Sequence, residues 1–296
     1  MALHKTKKPA EMQKQASFIE SDESICSMKQ QTLVDSYFQS GAHAWKEMYE
    51  RDDLSALIYQ QRRTVVLGLI DKLNLPRDSP ILEVGCGAGL TTVALLERGY
   101  IVHAVDSVQA MIDLTRKLAA RLDIEHNIRT SLGDVHNLTF SDNVFSLVLA
   151  VGVVPWLHSS ARALSEIARV TKPGGYVIVT ADNRWRLADI LDPARNPLHA
   201  PLRQMIRNIG GRIGLGASMP RARRHSPKEF DSLLSQAGLA KIEGVTLGFG
   251  PFSFFKRSIL SERIGRKLQY ILRNLADRDI PLIRTTGAQY VVVARK

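Results

Sequence analysis

Short apolar runs alternate with amphipathic stretches through the middle of the chain. Five runs predict strands, at 80–84, 101–105, 127–132, 144–151 and 176–181, and all of them except 127–132 are mostly apolar. Apolar residues spaced every three or four positions predict helices between them, at 90–98, 108–121 and 160–170. This alternation favours a parallel sheet with helices on both faces. The carboxyl ends of its strands would then meet at one edge, where ligands bind.

The chain before this core has helical character. Residues 54–75 show a long helical period that Pro76 ends, and shorter helical stretches carry Tyr37 and Trp45. We therefore expect residues 30–76 to form an N-terminal helical cap and residues 77–182 to form the core. The segment before the cap, residues 1–29, is charged, poor in aromatic residues and without a period, which predicts a disordered tail.

The chain after the core first breaks the alternation and then resumes it. Residues 183–225 are expected to form an arginine-rich insertion, because nine arginines lie between Asp182 and His225. Ser226 and Pro227 suit the cap and first turn of a helix. Residues 226–296 are expected to complete the sheet, with strands at 242–249 and 289–294 and a basic helix at 257–276. The expected fold is α/β, a doubly wound, mostly parallel seven-stranded sheet.

The insertion also carries an apolar stripe at helical spacing. Its residues are Leu198, Leu202, Met205, Ile206, Ile209 and Ile213, and the opposite face carries Arg203, Arg207 and Arg212. Two arrangements fit this pattern. The stripe packs on the domain as a lid, or the helix lies on an anionic membrane with its arginines at the headgroups. The basic helix at 257–276 has the same character, and both arrangements stay open.

The first apolar run ends in a carboxylate and a glycine-rich turn. Glu83 is followed by Gly85, Gly87 and Gly89, and a helical stretch begins at Leu90. Glycines between a strand and a helix permit positive φ and let a ligand approach the main chain. A dinucleotide site would need a glycine where this chain has Leu90. Asp106, at the end of the next strand, lies at the spacing expected of an acid that holds a ribose.

Four motifs in order resemble those of class I S-adenosylmethionine (SAM) methyltransferases. They are the glycine loop, Gly133–Asp134–Val135 with Leu138–Thr139–Phe140, the run 145–150, and Ile167 to Gly175. The resemblance is strong over residues 79–180 and weak over 226–296. It implies SAM-dependent methyl transfer on a Rossmann-like fold, with the N-terminal helices closing over the cofactor. The broad group of quinone and polyketide methylases looks most similar.

The resemblance assigns cofactor contacts residue by residue. Glu83 would reach the amino group of the methionine moiety, and Asp106 would accept both ribose hydroxyls, a role that is compatible with capping the following helix. Asp134 would meet the adenine amino group, with the backbone of Val135 along the ring. The residues expected to bind SAM are Glu83, Gly85, Cys86, Gly87, Gly89, Asp106, Ser107, Asp134, Val135 and Val151.

The stretch from Ala150 to His158 carries candidate acceptor residues. Trp156 would line the acceptor pocket or pack inside the domain, and Tyr37 and Trp45 would pack on the ligands or on other helices. His158 is the candidate base, because the ordinary pKa of histidine lies near neutral pH; the alternative is a surface histidine capping the next helix. Metal-linked quinone O-methyltransferases carry an acid and a histidine where Pro155 and Trp156 stand, so no metal is expected.

Net charge and cysteine content bear on the class of acceptor and on the cellular compartment. The net charge of +11 fits nucleic acid, anionic lipid or an acidic substrate. The Asp/Asn-Pro-Pro-aromatic run of nucleic-acid amino methyltransferases is missing, which argues against a nucleic-acid acceptor. Cys26 and Cys86 form no disulfide framework or zinc spacing, and no secretory signal is visible, so a cytoplasmic protein is expected.

The resulting hypothesis is methyl transfer from SAM to a small-molecule acceptor, with oxygen as the preferred atom. The alternatives are a tRNA or rRNA methyltransferase and a non-catalytic interaction protein with this fold. The identity of the acceptor and the oligomeric state stay open.

Overall fold

A computed structural model describes residues 30–45, 47–203, 205, 220 and 222–296. The expected tail at 1–29 and much of the insertion stripe, including Ile206, Ile209 and Ile213, lie outside the described residues. Within the described part of the chain, none of the helices is both long and apolar enough to cross a bilayer.

The strands form one large sheet and one small hairpin. In chain order they are β1 Pro80–Val84, β2 Ile101–Asp106, β3 Ile128–Leu132, β4 Phe145–Ala150, β5 Thr171–Asn183, β6 Arg224–His225, β7 Ala240–Leu247, β8 Ser253–Phe254, β9 Arg257–Ser258 and β10 Gln289–Arg295. The large sheet has the order β3-β2-β1-β4-β5-β10-β7, with β6 beside β5, and β8 pairs with β9. The expected mostly parallel sheet is confirmed: β1 to β5 run parallel, and β10 is antiparallel to β5 and β7.

The described helices flank this sheet. They are α1 at residues 30–45, α2 Leu54–Lys72, α3 Leu90–Leu96, α4 Gln109–Arg121, α5 Ser160–Val170, α6 Leu187–Ile190, α7 at residues 200–203, α8 Pro227–Gln236 and α9 Glu262–Asp277. Side chains cap several of them, because the first N–H groups of a helix have no partner inside it. Asp53 caps α2, Ser159 caps α5, and Ser226 forms a reciprocal capping box with Glu229 at α8, as the sequence predicts.

The core lies on both faces of the sheet. Successive strand residues point to opposite faces, so Leu82, Val148, Val179 and Val292 pack on one side with residues of α5 and α8. Their neighbours Ile81, Leu147, Ile178 and Val291 pack on the other side with residues of α2 and α3. Burial on both faces explains why these strands read as continuous apolar runs.

Several element bounds differ from the expected ones. The strand expected at 176–181 is longer and spans Thr171–Asn183, and the one expected at 242–249 spans Ala240–Leu247. The basic helix begins at Glu262 instead of residue 257, because Arg257 and Ser258 pair with β8. Its predicted stripe is also wrong in part: Ile264 and Ile271 are exposed.

The described part of the insertion does not pack its stripe into the core. Leu198, Leu202 and Met205 are more than half exposed. The guanidinium of Arg203 donates to the carbonyl oxygens of Asn196 and Arg195, so this arginine braces the local backbone. Whether the insertion forms a lid therefore stays a prediction.

Candidate active site

A chamber lies at the carboxyl ends of β1, β2, β4 and β5, beneath α1 and α2. Its lining contains nine of the ten residues expected to bind SAM, and the tenth, Gly89, is not part of the lining. Trp45 and Trp156 also line it, whereas Tyr37 and His158 are not part of the lining. The edge where the strand ends meet is thus the edge that the sequence predicts for the site.

The three glycines of the loop have positive φ for different reasons. Their φ values are +67° at Gly85, +56° at Gly87 and +80° at Gly89. A Cβ on Gly85 would collide with Val153, and a Cβ on Gly89 would come 2.9 Å from the Cα of Thr115. A Cβ on Gly87 would meet no atom within 4 Å. Gly85 and Gly89 are therefore needed by the packing, whereas Gly87 leaves space open beside the chamber.

Asp106 holds the glycine loop and the start of α4. Its Oδ2 accepts a hydrogen bond of 2.9 Å from the Gly87 N–H, and its Oδ1 accepts one of 3.0 Å from the Val108 N–H. Burial raises the pKa of Asp106, while these N–H groups act to lower it. Each carboxylate oxygen keeps acceptor capacity for a ligand. The expected capping contact is present, and it does not preclude a ribose contact.

Glu83 is a buried acid that lines the chamber. The Thr92 hydroxyl donates to its Oε2. Burial raises the pKa of Glu83 to about 8, the Thr92 hydrogen bond acts to lower it, and nearby Asp106 acts to raise it. Near neutral pH the group therefore holds a proton, and a cationic ligand beside it would favour the ionised form.

Asp134 and two histidines form a cluster at one end of the chamber. Asp134 Oδ1 accepts the His136 N–H at 2.9 Å and lies 2.6 Å from His136 Nδ1. Although burial raises the pKa of Asp134, the hydrogen bonds from His136 outweigh it and keep that pKa low. The ring of His158 stacks on His136, with 3.6 Å between centroids, and burial lowers the pKa of His158. The role of His158 as a base stays a prediction, because the ring lies outside the chamber lining.

Aromatic side chains form part of the chamber wall. Phe38 lines the chamber and meets Trp156 edge to face, with 5.1 Å between centroids. Tyr37, a predicted pocket residue, stacks on Trp156 with 6.0 Å between ring centroids and does not line the chamber. Helical spacing could have identified Phe38 from the sequence. It lies four residues after Val34 and seven before Trp45, so the three side chains share one face of α1.

Other lining residues were not anticipated from the sequence. They are Gln31, Val34, Tyr49, Tyr59, Arg62, Asp182 and Gln289. Asp182 and Gln289 are paired neighbours at the ends of β5 and β10. Arg62 interrupts the apolar period of α2 and is 7% exposed, which is unusual for an arginine. This charged residue within an otherwise apolar helical face could have identified Arg62 as a candidate site residue from the sequence.

The described residues offer neither a cluster of metal ligands nor a reactive thiol in the chamber. Among the described residues, no group of three or more His, Cys, Asp and Glu side chains is arranged to hold a metal ion. Cys86 lines the chamber, but burial raises the pKa of its thiol well above the usual range, so it is a poor nucleophile.

The lining has the features that a SAM molecule would require. Gly87 provides a surface that any side chain would fill, Glu83 is a buried acid without a cationic partner within 4 Å among the described residues, and Asp106 faces the same space. The described residues therefore fit the cofactor that the fold implies.

Comparisons with known proteins support this assignment. Residues 82–179 match the family described as "Methyltransferase domain". The ubiquinone biosynthesis O-methyltransferase of Rickettsia typhi is 23% identical over 156 residues, covering 51% of this chain and 61% of that protein. The malonyl-[acyl-carrier protein] O-methyltransferase of Halorhodospira halophila is 35% identical over 133 residues, covering 44% of this chain and 43% of that protein. The chain thus spans less than two thirds of the length of these curated relatives.

A solved structure shows the same fold. The magnesium protoporphyrin IX methyltransferase of Synechocystis matches with a TM-score of 0.57 at 16% identity, covering 90% of this chain and 99% of that one. With the glycine loop and the acids at the ends of β1 and β2, these matches show that residues 82–179 form a methyltransferase domain, on the fold of class I, SAM-dependent methyltransferases.

Proposed function

We propose that the chain transfers the methyl group of SAM to an oxygen of a small-molecule acceptor. One observation supports this most strongly: the glycine loop, Glu83 and Asp106 line the same chamber as a set of aromatic side chains. A donor and an acceptor bound there would lie side by side. Such proximity supplies much of the rate of a displacement reaction.

In this proposal the residues around the glycine loop hold the donor. Gly87 lets it approach the main chain, Asp106 accepts ribose hydroxyls, Glu83 meets the amino group, and Asp134 with Val135 faces the adenine. When bound, SAM supplies an activated methyl group on a positively charged sulfur. The protein's task is then to orient the acceptor and to exclude water.

The acceptor end favours a small molecule. Helices α1 and α2 contribute Phe38, Trp45 and Tyr59 to its lining, and the loop after β4 contributes Trp156. These side chains suit a ring or another apolar body. The choice of oxygen is supported by two relatives that are named O-methyltransferases. Asp182 and Gln289 in the lining offer oxygen atoms that can accept a hydroxyl proton. We place the protein in the cytoplasm.

An isotope-tracing experiment tests this function. The purified chain is incubated with SAM labelled in its methyl group and with separate small-molecule, RNA, DNA and protein fractions of a cell extract. We expect the label in the small-molecule fraction, attached to oxygen in the product identified by mass spectrometry and NMR. The Gly87→Ala variant is the control and, at a SAM concentration near the wild-type dissociation constant, should transfer much less label.

Two results would count against the proposal. Label that appears in RNA or DNA would favour the nucleic-acid alternative. A protein that binds no SAM in calorimetry would favour a non-catalytic role for the fold.

A further inference from the structure

Arg62 is a buried cation without an anionic partner in contact. Its Nη2 donates to the Tyr49 hydroxyl at 2.8 Å, and its guanidinium carbon lies 5.0 Å from the centre of the Tyr59 ring. Its Nε is buried and has no hydrogen-bond partner among the described residues. No described carboxylate lies within 4 Å of it. Burying a guanidinium without an anionic partner costs free energy. A ligand that supplies an anionic group would therefore be favoured.

The position of Arg62 places it at the acceptor end. A Cβ on Gly152 would lie 2.9 Å from Arg62 Nη1, so the guanidinium lies against the second residue after β4. The glycine loop follows β1, and Asp106 ends β2, on the other side of β1. Arg62 therefore faces the half of the chamber that the donor would leave free.

The charges around Arg62 leave an excess of positive charge. Arg186 and Arg224 lie nearby and pair with Asp189. Asp182 is the carboxylate in the lining at this end, and it feels Arg186, Arg62 and Arg224 without contacting Arg62 within 4 Å. Three guanidinium groups thus share two carboxylates. An anionic group on the ligand would neutralise the remaining positive charge.

We propose that the acceptor is a planar organic acid whose carboxylate pairs with Arg62 while its apolar body lies on the wall of Trp156 and Phe38. This inference rests on the function proposed above. A carboxylate matches the guanidinium because it can accept two parallel N–H bonds, and Nε is a free donor. The pairing would fix the orientation of the acceptor relative to the donor.

Binding of simple probes tests the inference. Benzoate and phenylacetate are compared with benzamide and phenylacetamide, which have the same shape without the charge, by calorimetry and ligand-observed NMR with S-adenosylhomocysteine present. We expect the acids to bind at least about ten-fold more tightly, equivalent to ~1.4 kcal/mol. Arg62→Met should abolish the difference and Arg62→Lys should keep part of it. Asp182→Asn should strengthen acid binding, because it removes a neighbouring negative charge.

The matched control is Arg116→Met, since Arg116 lies on α4, outside the chamber lining, where it contacts Thr130. Acids and amides that bind equally, acids that do not bind, or an acid preference that survives Arg62→Met would overturn the inference. Affinity for S-adenosylhomocysteine, measured in the same samples, distinguishes failure of this inference from failure of the proposed function.

A second inference rests on the β8–β9 hairpin, far along the chain from the motifs above. Its two-residue turn is Phe255–Lys256, with φ of +47° and +65°. Such turns usually use Asn and Gly, because other side chains are strained there. Phe255 is 62% exposed and Phe254 is 51% exposed. The hairpin thus holds two large aromatic side chains in water at a cost in backbone strain.

The base of the hairpin is firmly held. Buried Asp192 accepts hydrogen bonds from the Ser253 hydroxyl at 2.6 Å and from the Lys256 N–H at 3.0 Å. Phe252 packs in a small core with Phe249. These contacts keep the turn in its strained conformation, as is common at ligand-binding sites.

We infer that this aromatic tip docks on an anionic lipid surface. Lys256 and Arg257 flank the aromatic residues, and residues 250–261 contain no acid. Aromatic rings are favoured at the membrane interface, and basic residues are attracted to anionic headgroups. The membrane contact that the sequence suggested for the arginine stripes stays a separate prediction.

Vesicle sedimentation tests this assignment with the full chain. We expect sedimentation with phosphatidylcholine vesicles containing phosphatidylglycerol at low salt, and little with phosphatidylcholine alone. The double variants Phe254→Ser with Phe255→Ser, and Lys256→Glu with Arg257→Glu, should each abolish it. The control Leu122→Ser with Leu132→Ser changes two other exposed apolar residues and should not.

Two results would overturn the lipid assignment. One is sedimentation that is absent, or that persists in both hairpin variants. The other is self-association in lipid-free solution that the aromatic double variant removes, since this would assign the tip to a second copy of the chain.

Discussion

Two buried carboxyl groups, Glu83 and Asp106, face the chamber from neighbouring strands. Burial raises the pKa of both. Asp106 is supported in its ionised form by two main-chain N–H groups, whereas Glu83 has the Thr92 hydroxyl. Glu83 is therefore the acid whose proton a cationic ligand would displace most readily.

Release of this proton on SAM binding is the first prediction. The empty site holds a protonated Glu83 below its pKa of about 8, and the ammonium group of SAM favours the carboxylate. Binding at about pH 7 should therefore release close to one proton, and affinity should rise with pH up to about 8. Calorimetry in buffers of different ionisation enthalpy measures the released proton. Glu83→Gln should release none, and equal release by this variant would contradict the assignment.

The same pKa makes stability depend on pH. Because the folded-state pKa of Glu83 lies above its ordinary value, this group adds stability at low pH that is lost as pH rises through about 8. Saturating SAM should reduce this loss by favouring the ionised form.

The predicted residues that lie in the chamber lining are mostly those whose spacing along the chain carries the information. Glu83, the glycines and Asp106 lie on consecutive strand ends, so their order along the chain brings them to one edge. Arg62 was missed because it reaches the chamber only through the packing of α2 over the sheet, and Asp182 was missed because the fifth strand was expected to end at residue 181. Helical or strand periodicity gives no direct measure of such contacts.

Helix α1 closes one side of the chamber by docking on the start of α4. The Ser107 hydroxyl donates to Asp35 Oδ1 at 2.8 Å. Ala42, Phe38 and Trp45 pack against Val108 and Met111. The expected closure of N-terminal helices over the cofactor thus has a physical basis in this interface.

Weaker cofactor retention on truncation of Phe38 is the second prediction. Phe38→Ala removes an aromatic group that lines the chamber and supports Trp156. We expect SAM to bind roughly ten-fold more weakly, ~1.4 kcal/mol, mainly through faster dissociation. Stopped-flow measurements provide both rates. Leu33→Ala is the control on the exposed side of α1, and equal effects of the two variants would contradict a specific role.

The predicted start of α9 was wrong because helical periodicity and strand pairing compete in the residues before Glu262. Apolar spacing continues back to residue 257, yet the short β8–β9 pairing takes up Arg257 and Ser258. The buried face of the helix contains Gly265 and Gln269 instead of the predicted isoleucines. Gln269 accepts the Phe249 N–H and donates to Gln61. A buried amide that completes a hydrogen-bond network is invisible to a hydrophobic pattern.

Independence from metal ions is a prediction for the molecule as a whole. The described residues contain no cluster of metal-ligating side chains, and Pro155 stands where metal-linked relatives carry an acid. Label transfer from SAM should therefore be unchanged by EDTA. Loss of transfer with EDTA and its recovery with magnesium or zinc would show that this prediction is wrong.

Binding of SAM in the chamber is the central claim, and calorimetry of two glycine variants tests it most directly. Gly87 and Gly238 both have positive φ and open space where an added methyl group would lie, but Gly238 follows α8, outside the chamber lining. Replacing either by alanine should cost about 1 kcal/mol of stability. We predict one SAM bound per wild-type chain, normal binding by Gly238→Ala, and at least about ten-fold weaker binding by Gly87→Ala. Equal SAM affinity of Gly87→Ala and wild type, or no binding by the wild type, would contradict it.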